Sequence, residues 1–249
     1  MPALSLHLTH GIAVICTVAA TGLAGAQDAR SCKASSAATS PVVIELYTSE
    51  GCSSCPPADR WLSSLSGRAD VLALGFHVNY WDRLGWPDRF ASAEATARQH
   101  ELARRAGANQ VYTPQVLVQG RDWRGWPGLP SAAPAASSPG LQMQRQGDRF
   151  SVTVTASTGA AASDRLSGYW VVLEDGHSTR VRAGENGGQN LRHDHVVRLY
   201  QPVADWPARQ SAQWQLQVST GVAEHPRRVA FVVTDAASLR PLQALALGC

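Results

Sequence analysis

The stretch that decides the fold reads Val42-Val-Ile-Glu-Leu-Tyr-Thr-Ser-Glu-Gly-Cys52-Ser-Ser-Cys55-Pro-Pro-Ala-Asp59. An apolar, β-favouring run ends in a turn-like Thr-Ser-Glu-Gly, and two cysteines then open what we predict to be a helix. This order puts Cys52 at the helix N-terminus, where unpaired backbone N–H groups and the helix dipole stabilise a thiolate. A stabilised thiolate attacks disulfides, and a second cysteine three residues later resolves the mixed disulfide. We therefore predict thiol–disulfide exchange, with Cys52 as the nucleophile and Cys55 as the resolving cysteine.

The N-terminus has the pattern of a secretory signal over residues 1–26. The apolar core at residues 11–20 is too short to span a bilayer, and Ala24-Gly25-Ala26 fits the small-residue cleavage pattern. We predict a periplasmic or secreted chain with no membrane span after removal of the signal.

The four cysteines outside the predicted signal peptide form a pair that is close in sequence and a pair that is distant in sequence. Cys52 and Cys55 are three residues apart, whereas Cys32 and Cys249 lie near the two ends of the processed chain. Chain termini often lie close together in compact domains, and an oxidising compartment lets disulfides persist. We expect a Cys32–Cys249 bridge, with two unrelated free thiols as the alternative.

The composition limits the possible partners. The net charge is only +3 over 249 residues, and the basic residues are dispersed, which argues against a nucleic-acid partner. The expected substrates are protein or small-molecule disulfides and thiols.

The hydrophobic pattern changes character along the chain. Strand and helix patterns alternate in the first part, and period-two alternation dominates after residue 140. The predicted divisions, in chain order, are a signal peptide (1–26), an N-terminal arm (27–40), a first domain (41–126), a linker (127–140) and a β-rich domain (141–249). The elements predicted in the first domain are strands over 42–48, 71–78 and 115–119 and helices over 56–65 and 93–106.

A later Thr113-Pro114, placed before a strand, completes a set of features typical of a thioredoxin-like module. The chain also resembles an exported bacterial family catalogued as a domain of unknown function, family 1223. The matching motifs are Glu45–Asp59, His77–Trp86, Val111–Gln115 and Gly184–Gly188.

The resemblance implies an α/β fold class, in which a thioredoxin-like domain is followed by a mostly antiparallel, sandwich-like β-rich domain. It also implies that Pro114 is a cis-proline facing the cysteines and that Thr113 offers backbone bonds to a substrate. It brings no known substrate.

Two acidic residues lie close to the cysteines in sequence. Glu45, on the predicted strand, is a candidate proton relay to Cys55 if burial raises its pKa, and an ion pair with an Arg is the alternative. We interpret Glu50 as a solvated loop residue.

The rival functions use the same two cysteines. A copper(I)-handling protein would bind the metal through Cys52, Cys55 and His77, although His77 on its apolar strand also fits a core histidine. His193 and His195 have a strand-like spacing on one face, but no third ligand is identifiable. In a non-catalytic binding module, Cys52–Cys55 would be a structural disulfide. Our main prediction assigns no metal or cofactor and favours a reductase or isomerase.

Overall fold

The computed structural model describes Met1 and residues 31–129, 139–156, 164–219 and 224–249. The predicted signal peptide, apart from Met1, lies outside the described residues, as does most of the predicted linker. The described chain forms two α-helices, α1 (Pro56–Ser63) and α2 (Ala93–Arg105), and a short 3₁₀ helix at Asp82–Leu84.

The strands carry most of the regular structure. In chain order they are β1 (Ser31–Ser35), β2 (Val42–Thr48), β3 (Val71–His77), β4 (Gln115–Val118), β5 (Arg121–Asp122), β6 (Leu141–Gln146), β7 (Arg149–Val154), β8 (Arg165–Glu174), β9 (His177–Arg180), β10 (Asn190–His193), β11 (Val196–Pro207), β12 (Ala212–Gln217), β13 (Arg227–Asp235) and β14 (Pro241–Leu247). Of the described residues, 46% lie in strands and 12% in helices.

One large sheet joins strands from both halves of the chain. Its eight strands follow the order β14-β13-β8-β11-β3-β2-β4-β5. A second sheet has the order β1-β6-β7-β12, and β9 pairs with β10. Strands β2 and β3 are parallel, and β11 runs parallel to β3, whereas the other ladders are antiparallel.

The predicted fold class is therefore wrong. We expected an α/β, thioredoxin-like domain followed by a sandwich-like β-rich domain, but the described chain is a β-rich fold with two α-helices. The period-two pattern after residue 140 is typical of strands with one buried face. Strand β13, however, is buried along most of its length on both faces, because it lies inside the eight-stranded sheet.

Several local predictions are confirmed. Strand β2 has the predicted bounds and is buried at every position. Helix α1 begins at Pro56, as predicted. Helix α2 begins after Ser92, whose hydroxyl accepts a hydrogen bond from the Ala95 N–H at 3.0 Å, which satisfies one of the free donors of the first turn.

The large sheet is covered on both faces. Helix α2 packs on one face, where Val43, Tyr47, Val171 and Val232 belong to one apolar cluster with Leu102. On the other face, α1 covers β2, β3 and β4, and the four-stranded sheet covers β8, β13 and β14. This arrangement puts the start of α1 beside the junction between the two halves of the sheet.

Gly75 permits the contact between β3 and β11 at that junction. Its N–H donates to the His195 carbonyl at 2.8 Å, and a Cβ built on Gly75 would lie only 3.3 Å from the same oxygen. A larger residue at this position would press on the backbone that leads into β11.

The predicted Cys32–Cys249 disulfide is present, with a Cα–Cα distance of 6.6 Å. It joins β1, on the four-stranded sheet, to the residues that follow β14. Within the described part of the chain, we find no helix with the length and apolar character needed to cross a membrane.

Candidate functional site

Cys52 and Cys55 form a disulfide at the start of α1. Their Cα atoms are 5.4 Å apart, and the Cys55 N–H donates to the Cys52 carbonyl at 3.1 Å. Both cysteines are fully buried, although Ser53 and Ser54 between them are exposed. The Cys52 sulfur also lies 3.4 Å from the Ser54 hydroxyl. An attacking thiol thus reaches Cys52 only after its surroundings have moved.

The turn before Cys52 carries a buried charge. Glu50 is fully buried, so the interpretation of Glu50 as a solvated loop residue is wrong. Its carboxylate accepts a hydrogen bond from the Trp86 indole at 2.8 Å and lies 3.3 Å from His193 Nε2. Burial raises the pKa of Glu50, but His193 and Trp86 outweigh that effect and lower it.

A buried ion pair supports the same turn. His77 Nδ1 lies 2.6 Å from an Asp88 carboxylate oxygen, which also accepts from the Glu50 N–H at 2.8 Å. Burial raises the pKa of Asp88, but His77 and two backbone donors more than offset this and lower it to about 2. Burial lowers the pKa of His77, yet the Asp88 carboxylate outweighs it, so the His77 pKa is raised. Both shifts favour the ionised form of the pair.

Asp59 is the acidic side chain nearest to Cys55 along α1. Its N–H donates to the Cys55 carbonyl at 3.1 Å, so the two residues are one helical turn apart on the same face. Asp59 is only 7% exposed. Burial raises its pKa, although His193 and His77 partly offset the effect. We call these five residues the acid–histidine cluster: Glu50, Asp59, His77, Asp88 and His193.

Glu45 lies on the opposite face of the sheet from α1. Its two oxygens accept from Arg98 at 2.6 and 3.0 Å, and it also accepts from the hydroxyls of Tyr47 and Tyr169. Burial, with Glu45 as the next cause, holds the pKa values of both tyrosines well above their ordinary range. These contacts agree with the interpretation of Glu45 as the partner of an Arg in an ion pair.

Trp81 links the cysteine turn to Thr113. Its indole N–H donates to the Thr113 hydroxyl at 2.8 Å, and its Cβ lies 3.2 Å from where a Cβ on Gly51 would stand. The Thr113–Pro114 peptide bond is cis, as predicted. The substrate-binding roles of Thr113 and Pro114 stay predictions.

A loop from the second half of the chain covers the turn. Asn186, between β9 and β10, donates through its side-chain amide to the carbonyls of Glu50 and Cys52, at 2.9 Å each. The neighbouring Glu185 carboxylate accepts from the Ser53 N–H at 3.0 Å. The Gly184–Gly188 motif noted in the sequence thus contacts the turn that carries the cysteine pair directly.

The histidines do not form the metal sets that the rival copper(I) function would use. Within the described ranges, no three His, Cys, Asp or Glu side chains come together as a metal site, so Cys52, Cys55 and His77 are not assembled. His193 and His195 do not share one strand face, because β10 ends at His193 and His195 has a positive φ of 59°. His195 instead contacts Ser66 and Arg228.

The sequence analysis missed three residues of this site. The Cys55–Asp59 spacing of four positions was visible in the sequence and places both residues on one helical face. Asp88 and Asn186 had no comparable local signal, because the cysteine turn to which they bind lies 38 positions from Asp88 and 134 positions from Asn186 in the chain.

Comparisons with known proteins give the chain a family and structural neighbours. The profile of a family described as "Protein of unknown function (DUF1223)" matches residues 43–234. A protein of Agrobacterium tumefaciens of known crystal structure is 28% identical, with a TM-score of 0.63 over 83% of this chain and 93% of that chain. HBP35 of Porphyromonas gingivalis is 13% identical, with a TM-score of 0.55 over 86% of this chain and 76% of that chain, a likeness of fold alone. No curated protein matches the chain.

Proposed function

The chain belongs to the DUF1223 family, whose description gives no function, and we propose that it is a thiol–disulfide oxidoreductase. The observation that carries the proposal is the Cys52–Cys55 disulfide at the start of α1, with the buried carboxyl of Asp59 one turn further along the helix. A purely structural disulfide requires no proton acceptor on the helix that follows it. The Cys32–Cys249 bridge, which joins residues 217 positions apart, has the long span typical of a structural disulfide.

The proposed reaction begins with the reduced pair. The Cys52 thiolate attacks a substrate disulfide, its sulfur bonds to one substrate sulfur, and the other substrate sulfur leaves as a thiolate. Cys55 then attacks the Cys52 sulfur, which releases the second substrate thiol and forms the Cys52–Cys55 disulfide. Two electrons pass to the substrate, and a dithiol reductant restores the pair.

Asp59 supplies a place for the proton that Cys55 loses. Cys55 must be a thiolate to resolve the mixed disulfide, and its sulfur is buried where ionisation is costly. A carboxyl with a raised pKa is a better proton acceptor near neutral pH than an exposed one. Asp59, and not Glu45, is therefore the proposed proton acceptor for Cys55.

The direction of exchange follows from the residues between the cysteines. Ser53 and Ser54 carry no charge that would strongly stabilise a thiolate, so we propose a reductase or an isomerase. Export to an oxidising compartment, the periplasm or the exterior, agrees with two formed disulfides and with the signal pattern at the N-terminus.

The reduction potential of the Cys52–Cys55 pair tests the proposal. We expect equilibration with glutathione or dithiothreitol buffers to give a value between about −270 and −120 mV, the range of known oxidoreductases. The Cys32→Ser/Cys249→Ser variant isolates the pair in this titration. A potential below about −300 mV would identify a structural disulfide and refute the proposed function.

Replacement of Asp59 by Asn is expected to slow resolution of the mixed disulfide by about tenfold or more near neutral pH. The same substitution should not lower the stability of the folded protein. A carboxyl whose pKa is higher in the folded than in the unfolded state costs stability as the pH rises above its unfolded value, because the folded state holds its proton longer. Asp59→Asn should therefore melt no lower than wild type at pH 7 and should show a flatter pH dependence of Tm.

Stopped-flow resolution kinetics and thermal melts from pH 4 to 8 check both effects. Asp70→Asn, which removes a carboxylate that is 51% exposed, is the control and should leave the rate unchanged. Wild-type resolution by Asp59→Asn would remove Asp59 from the mechanism.

A further inference from the structure

The Gly184–Gly188 segment, here called the cover loop, makes three hydrogen bonds to the turn that carries Cys52. The Asn186 amide donates to the Glu50 and Cys52 carbonyls, and the Glu185 carboxylate accepts from the Ser53 N–H. Asn186 is 5% exposed, whereas Glu185 is exposed. The loop thus combines a buried amide that fixes the backbone with a surface charge that contacts the residue after Cys52.

The cover loop has a defined conformation of its own. Gly184 and Gly188 have φ values of 72° and 88°, which L side chains rarely adopt. Backbone hydrogen bonds close the loop, from Gly187 to the Gly184 carbonyl and from Gly188 to the Val181 carbonyl. A Cβ on Gly184 would lie 3.2 Å from Cβ of Trp86, the residue whose indole binds Glu50. The loop is therefore packed against the site through Gly184 and through its centre.

The position of Glu185 opposes a charge on Cys52. A backbone N–H that donates to a thiolate favours the charged form of the thiol, and the Glu185 carboxylate already occupies the N–H of Ser53, the residue that follows Cys52. A carboxylate beside a thiol also disfavours the thiolate by direct repulsion. The other ionisable groups around the turn are the acid–histidine cluster: Glu50, Asp59, His77, Asp88 and His193. They belong, in that order, to the turn itself, α1, β3, the loop after β3 and β10. These groups are buried, whereas Glu185 is exposed.

We propose that the cover loop sets the reactivity of Cys52, with Asn186 holding the turn closed over the disulfide and Glu185 restraining ionisation of the Cys52 thiol. The inference rests on the proposed function and assigns both residues as positioning residues that act through Cys52. A partner that draws the Glu185 carboxylate away, such as a protein with a basic side chain beside its own disulfide, would release the Ser53 N–H to the thiolate. Basic disulfide substrates are therefore the favoured class.

The pH dependence of iodoacetamide alkylation at Cys52 in the reduced protein tests the role of Glu185. We expect Glu185→Gln to lower the pKa of the Cys52 thiol by about half a unit, which gives about threefold faster alkylation below that pKa. The difference should shrink in 0.5 M salt, because the Glu185 charge is exposed. Glu94→Gln, which removes another exposed carboxylate in the first turn of α2, is the matched control and should change nothing.

The Asn186→Ala variant separates the effect of the Asn186 hydrogen bonds on the turn from the effect of the Glu185 charge on the Cys52 thiol. We expect faster alkylation of Cys52 at every pH with an unchanged pKa, since the variant opens the turn without altering any charge. Circular dichroism verifies that each variant is folded. An unchanged thiol pKa in Glu185→Gln, or an unchanged alkylation rate in folded Asn186→Ala, overturns the corresponding part of the inference.

Alkylation requires no turnover, so this result is independent of the proposed function. A shifted pKa in a protein that exchanges no disulfide would refute the oxidoreductase and keep the cover loop as the element that controls Cys52. Disulfide exchange by a protein in which Glu185→Gln leaves the Cys52 pKa unshifted would keep the oxidoreductase and refute the role of Glu185 in the cover loop. The favoured substrate class is tested by comparing Lys-flanked and Glu-flanked disulfide peptides, and the preference for the Lys-flanked peptide should disappear in Glu185→Gln.

Discussion

Cys52→Ser is expected to lose disulfide exchange by about a thousandfold or more, because a serine hydroxyl does not replace a thiolate as the attacking group. Cys55→Ser is expected to differ in kind. Cys52 still attacks, but the mixed disulfide has no resolving partner and accumulates. Reduction of insulin or of a small aromatic disulfide measures the first effect, and mass spectrometry of the protein after reaction detects the adducts of the second.

The two serine variants also distinguish the proposed function from its rivals. Trapped adducts on Cys55→Ser alone establish the order of attack, whereas adducts on Cys52→Ser alone would reverse the roles of the two cysteines. If neither variant forms an adduct and both are less stable than wild type, Cys52–Cys55 is a structural disulfide. The Cys32→Ser/Cys249→Ser variant is the control, and its folded fraction should exchange disulfides at the wild-type rate.

The sequence predicts the elements around the Cys52–Cys55 pair because their signals are local. An unbroken apolar run defines β2, and Ser92 caps α2 through a bond to a residue three positions away. The same reasoning finds Cys52 and Cys55 at the start of α1, since two prolines follow the second cysteine. Pairing of Cys32 with Cys249 also follows from their positions in the chain and is confirmed.

The features that the sequence analysis predicted wrongly depend on distant partners. Period-two alternation does not reveal which sheet a strand joins, and β11 enters the first-half sheet beside β3 through a contact at Gly75. The burial of Glu50 depends on Trp86 and His193, which lie in other parts of the chain. A Thr-Ser-Glu-Gly segment looks like a solvated turn in sequence whether or not such partners cover it.

Glu45→Gln is expected to destabilise the fold by about 3–5 kcal/mol, because it leaves the Arg98 guanidinium buried without a counter-charge. Glu45 and Arg98 side chains are each only 2% exposed, and Arg98 also stacks over the Tyr169 ring at 4.2 Å. Urea unfolding of wild type and variant measures the difference. Glu101→Gln is the matched control, since Glu101 pairs with the surface residues Arg104 and Arg105, and such pairs contribute about 0–1 kcal/mol.

The same variant decides between the two interpretations of Glu45. An ion pair on the α2 face of the sheet contributes stability but no proton, so the folded fraction of Glu45→Gln should resolve mixed disulfides at the wild-type rate, with the wild-type pH profile. A proton relay predicts the opposite, a changed pH profile in protein that is still folded. The Glu45→Gln/Arg98→Gln double variant should be less destabilised than the sum of the two single variants, because it removes both buried charges together. Additive losses would mean that the pair is not coupled, and a slowed, pH-shifted resolution step would return the proton relay to Glu45 and take it from Asp59.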